Sequence, residues 1–245
     1  MTANMVRRSG APVAGSWPSA PPGRAASPGK TLSMQIADGL IEAIGRGDIP
    51  PGTRLNEAEI AESSGTSRGP VREALRYVQE AGLIEAVPHQ GSFVIHPTAD
   101  ELAEMVVMRS LLEGFAARTM VASDSAGLAT LDRIVADMWT TVETNDLETF
   151  RQLDWQFHET LCGSSHLATL TRTWQQLRSR IGLMMVTNTQ LPDLKERVAD
   201  HEDLATRLRG AAPDEAERIV RSRGLERGFA WLQRPVPDML RDAAP

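Results

Sequence analysis

The sequence predicts a mainly α protein in two parts: an N-terminal winged helix-turn-helix, which is α with a small β hairpin, and a C-terminal antiparallel all-α helical bundle. The first observation is the order of elements over residues 53–94, which reads as helix, turn, helix and glycine-tipped hairpin. The second is that apolar residues keep helical spacing from Thr98 onward, with short turns between the segments.

Two helices are expected before and at the start of the motif. The first covers residues 32–45 and has an apolar stripe, formed by Leu32, Ile36, Leu40, Ile41 and Ile44. A short second helix follows, with Ile60 and Ala61 facing inward. Residues 63–67 are small and include Gly65, which suits a tight turn between helices.

The third helix carries a row of positive charge. Ser67 is suited to cap its start, and Pro70 is tolerated in the first turn because its missing N–H has no partner there. Arg68, Arg72 and Arg76 recur every four residues and share the outward face. Each arginine alone fits a solvated helix face, but together with the other elements the row favours phosphates and guanine edges.

A hairpin follows the third helix, which Gly82 ends. Residues 83–87 and 92–95 read as two short strands, and the tip between them contains His89, Gln90 and Gly91. This tip is of a size to reach an adjacent minor groove of DNA.

Charge alone argues against a generic DNA binder, because the net charge is −6. Residues 31–97 hold five arginines against nine acidic residues. DNA binding therefore requires a local positive patch, and few phosphate contacts per subunit predict a homodimer on a two-fold symmetric operator. The acidic balance disfavours the alternative of a DNA-compacting protein.

The composition of 41% hydrophobic and 24% charged residues is typical of a soluble globular protein. No apolar run approaches the ~18 residues of a membrane-spanning helix, and no signal-peptide pattern follows Arg7 and Arg8. We expect a cytoplasmic protein without a membrane partner. Cys162 is the only cysteine, which excludes an internal disulfide and favours a packed structural thiol.

The domain boundaries follow from composition and capping. Residues 1–29 are rich in proline and glycine and predict a disordered arm, residues 30–97 the DNA-binding domain, and residues 236–245 a flexible tail. Thr98 and Glu101 have the spacing of a capping box that starts the helical domain of residues 98–235. Helices are expected near residues 99–122, 126–144, 146–163, 166–189, 193–210 and 213–233.

Three polar residues of the helical part have metal-ligand chemistry. Asp154 and His158 stand four residues apart on one helix face, and His201 lies on a later helix. Facing helices of a bundle can hold a divalent metal with such an oxygen and two imidazoles. Spacing alone favours the simpler interpretation, in which Asp154 and His158 form a surface pair and His201 is a solvated residue beside Glu202 and Asp203.

The first part resembles the GntR-type bacterial transcription regulators. Three runs carry the resemblance: P-G-T-R-L-N-E at residues 51–57, S-R-G-P-V-R-E-A-L at residues 67–75, and the wing at residues 82–94. In that family the third helix enters the major groove. The resemblance implies that this chain binds double-stranded DNA.

The resemblance also implies which residues touch DNA. Positions matching Ser67, Arg68 and Arg72 contact bases and phosphates, and the wing glycine approaches the backbone. The family usually has an arginine where this chain has Ala58, so either the operator differs or Arg54 supplies the contact. The expected DNA-binding set is Arg54, Ser67, Arg68, Gly69, Arg72, Arg76, His89, Gln90 and Gly91.

The second part is similar to the FCD ligand-binding domain of the FadR-like branch of the same family. The matching runs are R-S-L-L-E at residues 109–113, D-W-Q-F-H at residues 154–158 and D-H-E-D-L at residues 200–204. Many members bind a metal through one aspartate and three histidines, and a small carboxylate effector takes the open positions. The matching residues here are Asp154, His158 and His201.

Arg223 stands where the family has its third histidine. A guanidinium stays protonated and cannot ligate a metal. In one interpretation, which we favour slightly, Arg223 replaces the metal and binds the effector carboxylate, with Arg109 as a second clamp. In the other, zinc, manganese or nickel remains bound by Asp154, His158, His201 and water.

These expectations describe a ligand-responsive transcription regulator without enzymatic activity, whose effector biases the placement of the two DNA-binding domains of a dimer. The alternative from another class is a metal-dependent hydrolase that uses Asp154, His158 and His201. It is disfavoured because no nucleophile, general base or H-E-x-x-H motif accompanies these residues.

Overall fold

The computed structural model describes residues 30–123, 125–187 and 193–241. Within these ranges the chain forms two compact units. The first contains residues 30–97 together with Arg178–Thr187, and the second contains Thr98–Leu177 and residues 193–241. The predicted arm of residues 1–29 lies outside the described residues, as do residues 242–245 of the predicted tail.

The first unit is a winged helix. Its elements are α1 (Leu32–Arg46), β1 (Arg54–Leu55), α2 (Glu57–Ser63), α3 (Arg68–Glu80), β2 (Ile84–Val87) and β3 (Gly91–Val94). The sheet is antiparallel with the order β1-β3-β2. The predicted hairpin is confirmed, but the two-residue strand β1 was not predicted, because two residues are too short to show an alternating pattern.

Local sequence explains where these helices begin and end. The hydroxyl of Thr31 accepts a hydrogen bond from the backbone N–H of Met34 and caps α1, which ends at Gly47 with a positive φ of 84°. Gly82 takes the same left-handed conformation after α3, with φ 69°. Ser67 occupies the N-cap position of α3, but its side chain makes no capping hydrogen bond, contrary to the prediction.

The second unit is helical. Its helices are α4 (Ala99–Ser123), α5 (Ser125–Thr144), α6 (Leu147–Gly163), the first half of α7 (Ala168–Thr187), α8 (Leu194–Gly210) and α9 (Pro213–Trp231). The capping box that starts α4 is confirmed, because Thr98 Oγ1 accepts from the N–H of Glu101 and Glu101 Oε2 accepts from the N–H of Thr98. A 3₁₀ turn, Asp238–Leu240, forms within the predicted tail.

Helices α4 and α9 pack closely because glycines stand at their contacts. A Cβ added to Gly228 would lie 2.3 Å from Val106 Cγ1, and one added to Gly224 would lie 2.5 Å from Ser110 Oγ. Such distances are shorter than van der Waals contact, so this packing requires glycine. It brings the middle of α4, which carries Glu113, into the interior of the unit.

Candidate functional site

The third helix presents its arginines to solvent, as the sequence predicts. Arg68, Arg72 and Arg76 are all exposed, while Val71 and Val78 on the opposite face are fully buried. Arg72 Nε lies 2.8 Å from Glu57 Oε2, and Arg76 Nε lies 3.6 Å from Glu80 Oε1. Exposed ion pairs of this kind are weak, so phosphates can displace the carboxylates.

The tip of the wing is exposed and has an unusual backbone. His89 and Gly91 adopt positive φ angles of 63° and 105°, and the N–H of Gln90 donates to the carbonyl of Val87. The guanidinium of Arg54 lies beside Gly91, with Nε 3.3 Å from the position of a Cβ there. Strand pairing thus joins Arg54 to the wing, on the same exposed edge as the predicted tip residues.

The second unit brings Asp154, His158 and His201 together, and one ligand atom from each lies within 4.8 Å of the others. Asp154 and His201 are buried, whereas spacing alone favoured a surface pair and a solvated histidine; that simpler interpretation is wrong. Helix α6 places Asp154 and His158 one turn apart, and α8 supplies His201. We call these three residues the polar cluster.

Hydrogen bonding fixes the tautomer of His201. Its Nδ1 lies 2.8 Å from the carbonyl oxygen of Arg197, which only accepts, so Nδ1 carries a hydrogen. Its Nε2 lies 3.3 Å from Asp154 Oδ1. In the neutral imidazole Nε2 then offers its lone pair on the side of Asp154. The donors therefore fit a divalent metal with three protein ligands and open positions.

Glu113 is a functional candidate that the sequence did not reveal. Its buried carboxylate lies 2.7 Å from Arg109 Nε and 3.1 Å from His158 Nδ1, and it accepts a 2.9 Å hydrogen bond from Trp174 Nε1. Burial works to raise the pKa of Glu113, but the charge of Arg109 and the hydrogen bonds of its neighbours outweigh it and lower the pKa to about 2. A carboxylate behind a histidine orients the imidazole toward a metal.

Charge and burial also act on the cluster itself. Burial lowers the pKa of His158 and favours the neutral, ligating form of its imidazole. Burial opposes ionisation of Asp154, but the hydrogen bond and charge of His201 outweigh it and hold the pKa of Asp154 below its usual range. Cys162 is fully buried, as predicted, and burial raises the pKa of its thiol.

Three arginines of the helical unit, Arg109, Arg197 and Arg223, are held in different states. Arg109 is bound to Glu113, and Arg223 Nη2 lies 2.6 Å from Asp200 Oδ2. Arg197, which the sequence did not single out, lies with its guanidinium carbon 4.3 Å from the centre of the Phe150 ring. Its Nη1 is buried and has no hydrogen-bond partner among the described residues.

None of the described helices combines the length and the hydropathy that crossing a bilayer requires. An exposed row of arginines beside a wing is typical of a winged-helix DNA-binding protein, and here a helical unit with a buried polar cluster follows it. Residues 32–94 match the family "Bacterial regulatory proteins, gntR family", and residues 104–223 match "FCD domain". The chain belongs to the GntR family. The family and the relatives of this chain are transcription regulators rather than enzymes.

Three relatives named as transcription regulators support this assignment. The chain is 29% identical over 191 residues to a probable D-xylose utilization operon transcriptional repressor of Paenarthrobacter nicotinovorans, covering 78% of this chain and 84% of the relative. It is 28% identical over 215 residues to the gluconate operon transcriptional repressor of Bacillus subtilis, covering 85% and 83%. An uncharacterized HTH-type regulator of Agrobacterium vitis is 34% identical over 126 residues, covering 50% and 74%.

Solved structures agree with the fold. E. coli McbR/YncC superposes with a TM-score of 0.72 at 22% identity, over 83% of this chain and 98% of that one. A putative GntR regulator from Rhodococcus sp. RHA1 superposes with a TM-score of 0.73 at 19% identity, over 83% and 99%. The hydrolase alternative does not agree with the family membership and is abandoned.

Proposed function

We propose that this protein is a ligand-responsive transcription regulator that binds a palindromic operator as a homodimer in the cytoplasm. The observation that carries the proposal is the exposed row Arg68, Arg72 and Arg76 on α3 beside the wing. The third helix would lie in the major groove and the wing on the flanking backbone. The proposed contact set is Arg54, Ser67, Arg68, Gly69, Arg72, Arg76, His89, Gln90 and Gly91, all of them exposed.

An exposed apolar stripe supports the homodimer. Met108, Leu111 and Phe115 follow one another at helical spacing on α4 and are 45%, 46% and 44% exposed. A second copy of the chain would cover this stripe. We expect Phe115→Glu to shift the sedimentation coefficient from dimer to monomer, whereas Glu104→Ala, an exposed change on the same helix, leaves it unchanged. A dimer that survives Phe115→Glu places the interface elsewhere.

The polar cluster is the proposed effector site. Asp154, His158 and His201 would hold zinc, manganese or nickel, and the metal would supply a Lewis acid with positions open to a carboxylate oxygen. The gluconate repressor among the relatives favours a small sugar acid as the first effector class to test. The effector acts only if it binds the two arrangements of the dimer with different affinities.

The DNA-binding part is tested with operator fragments selected from randomised DNA by repeated rounds of binding. We expect the double variant Arg68→Ala, Arg72→Ala to lose roughly 30-fold or more in affinity, because each specific arginine contact contributes about 1–3 kcal/mol. Arg46→Ala, an exposed arginine of the same unit, serves as the control. Unaltered binding by the double variant would rule out the proposed interface.

The sensor part is tested by elemental analysis of the purified protein and a thermal-shift screen of carboxylates. Stoichiometric zinc, manganese or nickel supports the metal, and an acid that both stabilises the protein and changes operator affinity supports the effector. The absence of metal in protein purified without chelators would favour direct binding of the effector by arginine.

A further inference from the structure

Arg109, Arg197 and Arg223 differ in one respect that bears on ligand binding, and of the three Arg109 and Arg197 interact electrostatically with Asp154 of the polar cluster. Arg109 and Arg223 already have carboxylate partners, Glu113 at 2.7 Å and Asp200 at 2.6 Å. Arg223 also donates to the backbone carbonyl of Asp200 and lies 3.6 Å from Asp203. A bound acid would have to displace these partners, and would leave Glu113 without its cation.

Arg197 has no such partner. Its Nη1 is shielded from solvent and makes no hydrogen bond within the described part of the chain. A buried N–H without an acceptor costs about 1–3 kcal/mol, and more when the group is charged, so the unsatisfied Nη1 of this half-buried guanidinium calls for an explanation. An arriving anion supplies the missing acceptor.

The position of Arg197 also fits a ligand role. It lies on α8, one turn before His201, and its carbonyl oxygen fixes the tautomer of that histidine. Arg197 therefore borders the polar cluster and also orients one of its predicted metal ligands, His201. The Phe150 ring beneath the guanidinium keeps its plane in place through a cation–π contact at 4.3 Å.

The charged groups near the polar cluster also favour Arg197 as the residue that binds an anion. Arg109 has the carboxylate of Glu113 at 2.7 Å. Arg197 interacts with Asp154 electrostatically, but no described carboxylate lies within ion-pair distance of its guanidinium. A group that is mostly shielded from water and unmatched favours a small anion from solution.

From these observations we propose that Arg197 is the residue that binds the effector's carboxylate, in place of the Arg109 and Arg223 clamp that the sequence suggested. This rests on the proposed function, because it assigns the anion-binding residue of the effector site. The ligand class is a small organic acid with a carboxylate that a planar guanidinium can bind through two hydrogen bonds.

The first test needs no ligand. A partly buried cation without a counterion destabilises the fold, so replacing it by an apolar side chain of similar length removes that cost. Replacing a paired arginine has the opposite effect, because its carboxylate partner then stays buried without a counterion. We expect Arg197→Met to melt within about 2 °C of the wild type or above it, and Arg109→Met to melt at least about 6 °C lower. Arg207→Met, an exposed arginine on the same helix, is the control.

The second test measures anion binding by thermal shift and calorimetry, with sodium acetate and sodium citrate as probes at matched ionic strength. We expect the wild type and Arg207→Met to bind at least one probe and Arg197→Met to bind it roughly ten- to a hundredfold more weakly. Arg197→Lys keeps the charge without the planar fork, so it should retain part of the binding, and it covers the case in which the methionine variant does not fold.

Two results overturn the inference: a melting temperature of Arg197→Met as low as that of Arg109→Met, or probe binding that is absent in the wild type or unchanged in Arg197→Met. Operator binding separates this from the proposed function. If an acid releases DNA equally from the wild type and Arg197→Met, the regulator remains and the role of Arg197 fails. If no acid changes operator binding while both tests of Arg197 succeed, the proposed regulation fails and the anion site remains.

Discussion

The two units treat charged side chains in opposite ways. On α3 the side chains of Arg72 and Arg76 are 66% and 67% exposed, and their carboxylate partners are held only through water-exposed contacts. In the helical unit Glu113 and Asp154 are 3% and 6% exposed, with Arg109 Nε 2.7 Å from Glu113 and His201 Nε2 3.3 Å from Asp154. Carboxylates and arginines can therefore exchange partners easily on α3, whereas in the helical unit burial holds them to one partner.

This difference in burial separates two tasks. A surface that binds DNA must release its own partners at little cost, and exposed ion pairs contribute only about 0–1 kcal/mol. A site that binds a small ligand must hold its donors in one geometry before the ligand arrives, which a buried, hydrogen-bonded group such as Glu113 favours. The following four predictions test this contrast in order of decreasing effect.

The largest effect is expected at Glu113. Glu113→Ala leaves Arg109 buried without its partner and frees His158 and Trp174, so the free energy of unfolding should fall by about 3–5 kcal/mol. Chemical denaturation measures the loss, and Glu104→Ala, an exposed glutamate of the same helix, should change stability little. A loss below about 1 kcal/mol at Glu113 would remove the contrast between the units.

The next effect concerns packing in the helical unit. Gly228→Ala places a methyl group where Val106 already stands, so the unfolding free energy should fall by about 1–3 kcal/mol as α4 and α9 separate slightly. Denaturation with urea gives the value. A neutral result would mean that α4 and α9 do not need their close approach.

The opposite sign is expected for a glycine of the DNA-binding unit. Gly39 lies inside α1 with no atom within 4 Å of a Cβ built on it, so Gly39→Ala should stabilise the protein by about 0.4–1 kcal/mol. The same denaturation assay gives a direct comparison with Gly228→Ala. If both substitutions destabilise, space around the glycine is not what decides the outcome.

The smallest effect on stability is expected at Glu57. Glu57→Gln removes the exposed ion pair with Arg72 and should change the unfolding free energy by less than about 1 kcal/mol. The same change should increase operator affinity, because Arg72 no longer has a competing carboxylate. Fluorescence anisotropy with a selected operator measures this, and weaker binding by Glu57→Gln would show that the pair orients Arg72 for DNA.

The sequence predicts the exposed arginines of the DNA-binding unit well. The spacing of Arg68, Arg72 and Arg76 fixes their common face once the helix is assigned, and the helix is assigned from apolar periodicity and the flanking glycines. The helices of the second part were also predicted to within about two residues at most ends, because caps such as Thr98 with Glu101 are local signals.

The buried polar residues of the helical unit are harder to predict from sequence, because their environment depends on contacts between helices that are distant in sequence. Glu113 meets Trp174 across 61 residues of sequence, and nothing in its own run of α4 indicates that it faces inward. Arg197 has the same limitation, since an arginine four residues before a histidine usually reads as a solvated charge. The spacing of Asp154, His158 and His201 showed metal-ligand chemistry but favoured a solvated surface, and the resemblance to the FCD domain was needed to predict that they form one site.

The ion pairs on α3 have a further consequence for how binding responds to salt. Arg72 and Arg76 carry internal counterions, Glu57 and Glu80, so a phosphate that binds them replaces a carboxylate of the protein rather than an anion from solution. The freed glutamates then repel the DNA or gather sodium ions from the buffer. The protein should therefore bind nonspecific DNA weakly even at low ionic strength, and an acidic chain can display a row of arginines without being retained along the chromosome.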